Sequence, residues 1–415
     1  MAPLIFVNRF YAPDHSATSQ ILTDLCRALA AAGAEVTVVT SRMRYDDPGA
    51  KLPASETLDG VRVRRVATTR FGRATVVGRL IDYLSFYVSA SWVLLRIARR
   101  GDIIIAKTDP PLISVPAAIV ARLKGARLVN WLQDLYPEVA VAMGIGGLGG
   151  VAGRLVAWLR DWSLMRAELN VAVGELMAER LRGRGVPARS IAVIQNWSSD
   201  GDVTPIAADN NPLRVEWGYA PEDFVLAYSG NLGRAHEVET LLDAADRLKH
   251  RDDIRFLFIG GGHHLEALAA RARERGSAAI ALRPYQPRER LAQSLSVGDA
   301  HWLSLRREFE GLIVPSKFFG VAAAGRPVIA VADRRGEIAR IIDAHQCGLV
   351  VEPGEGAALA EAIATLADAR AGCRAMGERA RSMLDAHFTQ ARALSRFLDL
   401  FAGLHDGAPV IRYHP

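Results

Sequence analysis

Short apolar runs alternate with longer amphipathic stretches along the 415 residues. Leu4–Val7 reads as a first strand and Asn8–Ser16 as the loop after it. Ile21, Leu22, Leu25 and Leu29 recur at helical spacing, which predicts a helix over about Ala17–Ala32, ended by Gly33. Further strands are predicted at Glu35–Thr40, Val61–Val66, Ile103–Ala106, Arg127–Leu132, Leu169–Val173 and Ile191–Ile194. The polar stretch Asn196–Asn211 has the character of a linker. Beyond it the pattern restarts, with strands expected at Phe224–Tyr228, Phe256–Ile259, Ala279–Leu282, Ala300–Leu303 and Val328–Val331. Such alternation implies parallel sheets covered by helices. The expected fold class is α/β with two Rossmann-like domains, over residues 1–200 and 201–387. A last helix at about Phe388–Leu404, within residues 388–415, is free to pack back across the junction.

Composition changes this picture little and charge changes it more. Half the residues are apolar and 23% are charged, as in soluble globular proteins. Cys26, Cys347 and Cys373 show neither pairing nor metal-ligand spacing, which fits a reducing compartment. The N-terminal apolar run is too short for a signal peptide, so the expected location is cytoplasmic. Of the net charge of +6, the segment Val61–Arg127 carries +10, from thirteen Lys/Arg against Asp82, Asp102 and Asp109; the remainder is −4. These basic residues flank apolar and aromatic runs rather than a nucleic-acid module. An anionic membrane surface is the better-matched partner. Leu80–Leu95 contains Asp82 and falls short of the ~20 residues that span a bilayer. It reads either as a buried helix of an α/β domain or as a helix with one face on lipid.

The candidate chemistry clusters after the predicted strands. Ser229-Gly230-Asn231-Leu232-Gly233-Arg234 can offer backbone N–H groups and a guanidinium to phosphate. Gly260-Gly261-Gly262 is a weaker signal, because Leu265 stands where a dinucleotide fingerprint has its third glycine. From Glu310 the chain reads Gly311-Leu312-Ile313-Val314-Pro315-Ser316-Lys317, then an apolar helical segment closed by Gly325-Arg326-Pro327. That is a loop feeding a helix whose first N–H groups can face an anion, with Lys317 adding positive charge. Glu310 can accept hydrogen bonds from sugar hydroxyls or pair with a helix N-terminus. In the first half, Asp134 follows a predicted strand, where it can meet an acceptor hydroxyl or cap a turn. His15 and Ser16 lie in the loop after the first strand, and they are taken with His236 as acceptor-side candidates.

Several long motifs then occur in order: FVNRFYAPDHSATSQ, TDPPLISVPAAI, NWLQDLYPEVA, YSGNLGRAHEVETLL and EGLIVPSKFFGVAAAGRPVIA. Together they resemble the family-4 glycosyltransferases of the GT-B fold. The pattern is nearest to bacterial enzymes of O-antigen, colanic-acid and other surface-polysaccharide assembly.

The resemblance implies two Rossmann-like domains whose parallel sheets face a central cleft, with the C-terminal domain holding the donor. It implies retention of anomeric configuration, no metal and no cofactor, because the nucleotide-sugar is a substrate. Uridine is the base the family favours. By this resemblance Arg234 and Lys317 match the positive pair on the diphosphate. Glu310 matches the first acid of a Glu-x7-Glu motif, with Gly230, Asn231, Gly233, Gly261, Gly311, Leu312, Ile313 and Ser316 around the donor. The second acid is missing: its place is Gly320 when aligned from Gly325 and Phe318 when counted from Glu310. Glu352 is a substitute candidate for the ribose. The expected acceptor is a polyprenyl-diphosphate-linked glycan at the inner face of the cytoplasmic membrane. A nucleotide-sugar 2-epimerase, an NAD-dependent dehydrogenase and a non-catalytic scaffold are the rival readings.

Overall fold

The computed structural model describes residues 2–406 except 15, 46, 48, 73–74, 147–148, 199–202, 263 and 275–279. The chain divides into two compact units. Unit 1 comprises the chain up to Gln195 together with the segment from Arg392, and unit 2 comprises Asn196–Ala391.

Unit 1 is built on eight strands: β1 Leu4–Val7, β2 Val36–Ser41, β3 Ser55–Leu58, β4 Val61–Val66, β5 Ile103–Lys107, β6 Arg127–Leu132, β7 Leu169–Ala172 and β8 Ile191–Val193. Their order is β3-β4-β2-β1-β5-β6-β7-β8, parallel throughout except for β3, which runs antiparallel to β4. The sequence pattern missed β3, an edge strand of half-exposed and exposed residues without a buried face. It is set by a two-residue turn, Asp59-Gly60, with positive φ at both positions (48° and 80°). The connecting helices are α1 Ala17–Ala31, α2 Val76–Ile97, α3 Ser114–Lys124, α4 Glu138–Ala142, α5 Val151–Arg166 and α6 Glu175–Gly183.

The apolar run that opens at Leu80 is the body of α2. Gly78, Asp82, Phe86, Ala90 and Leu94 are its buried residues, each four positions after the last. One stripe therefore faces the core along the whole helix. Asp82, which interrupts the run, is buried and accepts from Thr69 Oγ1 (2.7 Å) and from the N–H groups of Phe71 and Gly72 (both 3.0 Å). It also pairs with the equally buried Arg9 at 3.4 Å. The carboxylate thus fixes the segment entering α2 to the loop leaving β1.

Unit 2 carries β9 Phe224–Asn231, β10 Ile254–Gly261, β11 Ile280–Arg283, β12 Ala300–Ser304, β13 Val328–Val331 and β14 Gly348–Val351. All pair in parallel, in the order β11-β10-β9-β12-β13-β14. Its helices are α7 Pro212–Glu216, α8 Glu239–Arg247, α9 Leu265–Glu274, α10 Leu291–Ser296, α11 Lys317–Ala323, α12 Glu337–His345, α13 Gly356–Asp368 and α14 Arg370–His387. The last helix, α15 Gln390–Asp406, sends its side chains into unit 1, where Phe397 packs on Trp131 (5.1 Å between ring centroids) and Phe401 on Phe6 (6.4 Å).

In each unit the strand order reverses beside the first strand, between β1 and β5 and between β9 and β12. In doubly wound sheets ligands bind outside the carboxyl ends of the strands at that switch point. Those ends are the turns after Val7 and Lys107 in unit 1 and after Asn231 and Ser304 in unit 2.

Candidate functional site

In unit 2 the strands continue into the glycine-rich turns. Gly230 pairs with Gly260 and Asn231 with Gly261 in the β9–β10 ladder. Leu232 N–H donates to Gly261 O (2.7 Å) and His264 N–H to Leu232 O (3.0 Å). The two turns are therefore knit together, and Gly230 and Gly261 are sheet residues rather than an open loop. Gly230 has φ 135°, and a Cβ there would collide with Lys317 Cε. Glycine at this position is what lets the lysine lie across the end of β9. Lys317 Nζ stands 5.6 Å from the Tyr228 ring centroid, and burial lowers its pKa to about 8. Arg234 is exposed on the β9–α8 turn, which Arg306 ties to β12 through N–H donation to Ala235 O (2.9 Å).

Glu310 lies after a short 3-10 turn, Arg307–Phe309. Its carboxylate packs against Gly336, the residue that caps α12, where any Cβ would collide with Oε1. The acid therefore sits at the positive end of α12, not of α11. Leu312 and Ile313, expected around the donor, already donate their N–H groups to Phe309 O (2.9 and 3.3 Å). The Leu312 side chain is buried, Gly311 is buried with φ 70°, and Ser316 is exposed immediately before α11.

His236, expected on the acceptor side, is a buried residue of unit 2 with both ring nitrogens engaged. Nε2 meets Tyr228 Oη at 3.1 Å and Nδ1 meets Ser304 O at 2.8 Å. Burial and then the charge of Lys317 lower its pKa to about 3, so the ring is neutral and braces the ends of β9 and β12.

In unit 1, Asp134 follows β6 and is raised to about pKa 6, first by burial and then by the charge of Asp109. Asp109 follows β5, at the switch point itself, and sequence reasoning passed over it. The buried Lys107 just before it was also missed. Its Nζ donates to Thr18 O in the first turn of α1 (2.8 Å) and lies 4.4 Å from the Trp131 ring centroid. Burial lowers its pKa to about 7, against the opposing charges of Asp109, Cys26 and Asp134. The available signal was a lysine closing an otherwise apolar strand, directly before Thr-Asp-Pro-Pro. Asp14 holds the first loop by accepting from Ser16 N–H (2.8 Å) and Tyr45 N–H. Ser16 precedes α1, and His15 lies outside the described residues.

The glycosyl transferase 4-like domain family matches residues 17–197, and the glycosyl transferases group 1 family matches residues 223–369. The chain is a glycosyltransferase. Its two Rossmann-like units are those of the GT-B, family-4 type. The transferase is 28% identical to WbjE of Pseudomonas aeruginosa, assigned as a glycosyltransferase, across 72% of this chain and 74% of that one. It is 26% identical to WcaI of Escherichia coli, assigned to colanic acid biosynthesis as a glycosyl transferase, across 85% and 89%. The solved structure of Anabaena HepE in complex with UDP-glucose shares the fold, with a TM-score of 0.72 at 15% identity, covering 97% of this chain and all of that one. The dehydrogenase and scaffold readings give way to this family.

The transferase holds no carboxylate at either place left open for a second acid. Phe318 is fully buried in the core beneath α11, and a Cβ at Gly320 would face Leu295 Cδ1 at 3.7 Å. Glu352 is bound by Arg307 (2.5 Å) and accepts from Arg334 N–H (3.1 Å). A further residue escaped the sequence: Tyr285, 60% exposed after β11, whose ring lies over Gly260 and Gly261.

Proposed function

We propose that this transferase moves a sugar, with retention and without a metal, from a UDP-sugar to a lipid-diphosphate-linked glycan in surface-polysaccharide biosynthesis. The observation that carries this reading is Lys317 lying across Gly230 at the unit 2 switch point, a cation placed for the leaving diphosphate. Arg234 on the same turn supplies the second positive charge, so protein cations can offset the charge that a metal otherwise offsets. Glu310 orients the donor sugar, and the exposed Tyr285 ring offers a flat face to the base. As the glycosidic bond breaks, a diphosphate oxygen takes the proton of the acceptor hydroxyl, which bonds to the anomeric carbon on the face the diphosphate leaves. Within unit 1, Asp134 and Asp109 follow β6 and β5 and are the candidates for binding the acceptor. The HepE complex with UDP-glucose and the assignment of WcaI to colanic acid biosynthesis support the donor and the pathway class. The acceptor's lipid would bring the enzyme to the anionic inner face of the cytoplasmic membrane.

Calorimetric titration with UDP, GDP and NAD, without added metal, tests the donor site. UDP is expected to bind, and to bind at least tenfold more weakly in Lys317→Ala. Affinity is expected to fall as pH rises through about 8, where Lys317 loses its charge. Binding of NAD alone, or of none of the three, overturns the reading, and preference for GDP reassigns the base.

A further inference from the structure

Thirteen of the nineteen large apolar side chains exposed among the described residues lie on α2, α3 and α5 of unit 1. α3 packs against both of the other helices, and Ser114 Oγ meets Ser163 Oγ at 2.8 Å across the α3–α5 contact. The exposed residues form stripes: Leu84, Val88 and Trp92 on α2, Leu123 on α3, and Leu155 and Trp158 on α5. On α2 this stripe lies about 180° around the helix, at about 100° per residue, from the buried stripe of Gly78, Asp82, Phe86, Ala90 and Leu94.

The charge around the stripes is one-sided. Within the three helices the acids are Asp82 and Asp161. Asp82 is buried on Arg9 and the chain at 69–72, and Asp161 pairs with Arg160 at 2.6 Å. Exposed cations are Arg96, stacked on Trp92 (4.5 Å), Arg122, Arg154 and Arg166, stacked on Trp162 (4.6 Å). An apolar face with cations and no unpaired acid complements a bilayer of anionic lipid. A second copy of the same face would set these cations against one another, which disfavours self-association.

α2 has the length and hydropathy of a membrane span, yet its buried stripe runs its full length. Crossing a bilayer would expose Asp82 and the core beneath α2 to hydrocarbon. We infer that α2, α3 and α5 together form a monotopic docking face, lying in the plane of an anionic bilayer with Leu84, Val88, Trp92, Leu123, Leu155 and Trp158 among the acyl chains. The inference deepens the membrane partner of the reading above and extends it to α5, outside the basic segment Val61–Arg127.

Flotation of the full chain with vesicles of phosphatidylcholine alone, or with phosphatidylglycerol and no glycolipid, tests it. Co-flotation is expected with phosphatidylglycerol, and part of it is expected to survive 1 M NaCl because burial of apolar surface is not screened. Leu84→Glu with Val88→Glu is expected to lower partitioning at least tenfold. Trp158→Glu is expected to lower it several-fold, which a contact through α2 alone would not produce. The milder pair Leu84→Ser and Val88→Ser is expected to show the same direction. The calorimetric transition of unit 1 reports that each variant is folded, and UDP titration reads the donor site in unit 2 independently of lipid. Intact UDP binding without flotation would sink the docking face and leave the transferase reading standing. Flotation unchanged by these substitutions, complete loss in 1 M NaCl, or a wild-type dimer that the substitutions dissociate would each overturn the inference.

Discussion

Lys317 and Lys107 are both lysines drawn out of water, and their surroundings separate their uses. Lys317 lies over the Gly230 backbone and the Tyr228 ring, at the mouth of the donor turn. Lys107 is fully enclosed, donating to Thr18 O and resting on Trp131. An unfolded lysine holds its proton to about pH 10.5, whereas Lys107 releases it near 7 in the fold. Between those values the unfolded chain binds more protons, so the contribution of Lys107 to stability rises with pH across that window. Below it the fold must bury the charge. Lys107→Met is therefore expected to raise the melting temperature, and to raise it more at pH 6 than at pH 10 in calorimetric scans. An equal gain at both values would show that Lys107 is not titrating. Asp134 acts in the opposite sense and in a separate window. Its folded pKa of about 6 lies above the ordinary 3.8, so the stability its proton contributes is present at low pH and is lost as pH rises toward 6.

At the scale of elements, α2 joins the core to the exposed apolar face. Its start is capped by Thr75, whose hydroxyl accepts from Gly78 N–H at 3.1 Å. Its second turn is fixed by Asp82. Removing one partner of a buried ion pair typically costs about 3–5 kcal/mol, because the other charge stays buried. Asp82→Ala is expected to destabilise unit 1 by that order in urea titrations, since Arg9 and two backbone N–H groups lose their partner together. A loss below about 1 kcal/mol, the scale of a surface ion pair, would show that Asp82 is not an anchor. The same carboxylate was legible in the sequence only as an interruption of an apolar run. Which partners it would find depended on the loops after β1 and β4, which one-dimensional spacing does not place.

On the scale of the whole molecule, the chain leaves unit 1 at Gln195 and returns to it at Arg392. Phe397 and Phe401 of α15 are fully buried, and they cover Trp131 and Phe6. Large-to-small changes at such aromatic positions cost about 3–5 kcal/mol each. Deletion of residues 392–415 removes both rings. It is expected to lower or abolish the calorimetric transition of unit 1 while leaving UDP binding by unit 2 in place. Loss of both together would mean that the units do not unfold independently.

The periodicity of apolar residues determined the strand–helix alternation, because the period of two or 3.6 residues is a local property of the chain. It located the parallel strands to within a few residues, except β14 Gly348–Val351, which it passed over, and it located the glycine turns that follow β9 and β10. The Pro-Ser-Lys and glycine motifs likewise pointed to the transferase family, since turns and helix starts are written in neighbouring residues. Only the tertiary structure decided what those motifs touch. It drew Gly230 and Gly261 into the sheet, set Glu310 on α12 across a gap of twenty-six residues, and enclosed His236 between β9 and β12. It also brought Lys107, Asp109 and Asp134 into electrostatic contact from two strands, and left one face of three separate helices uncovered. Each of these depends on strand order and on which helix covers which strand, and packing of distant segments sets both.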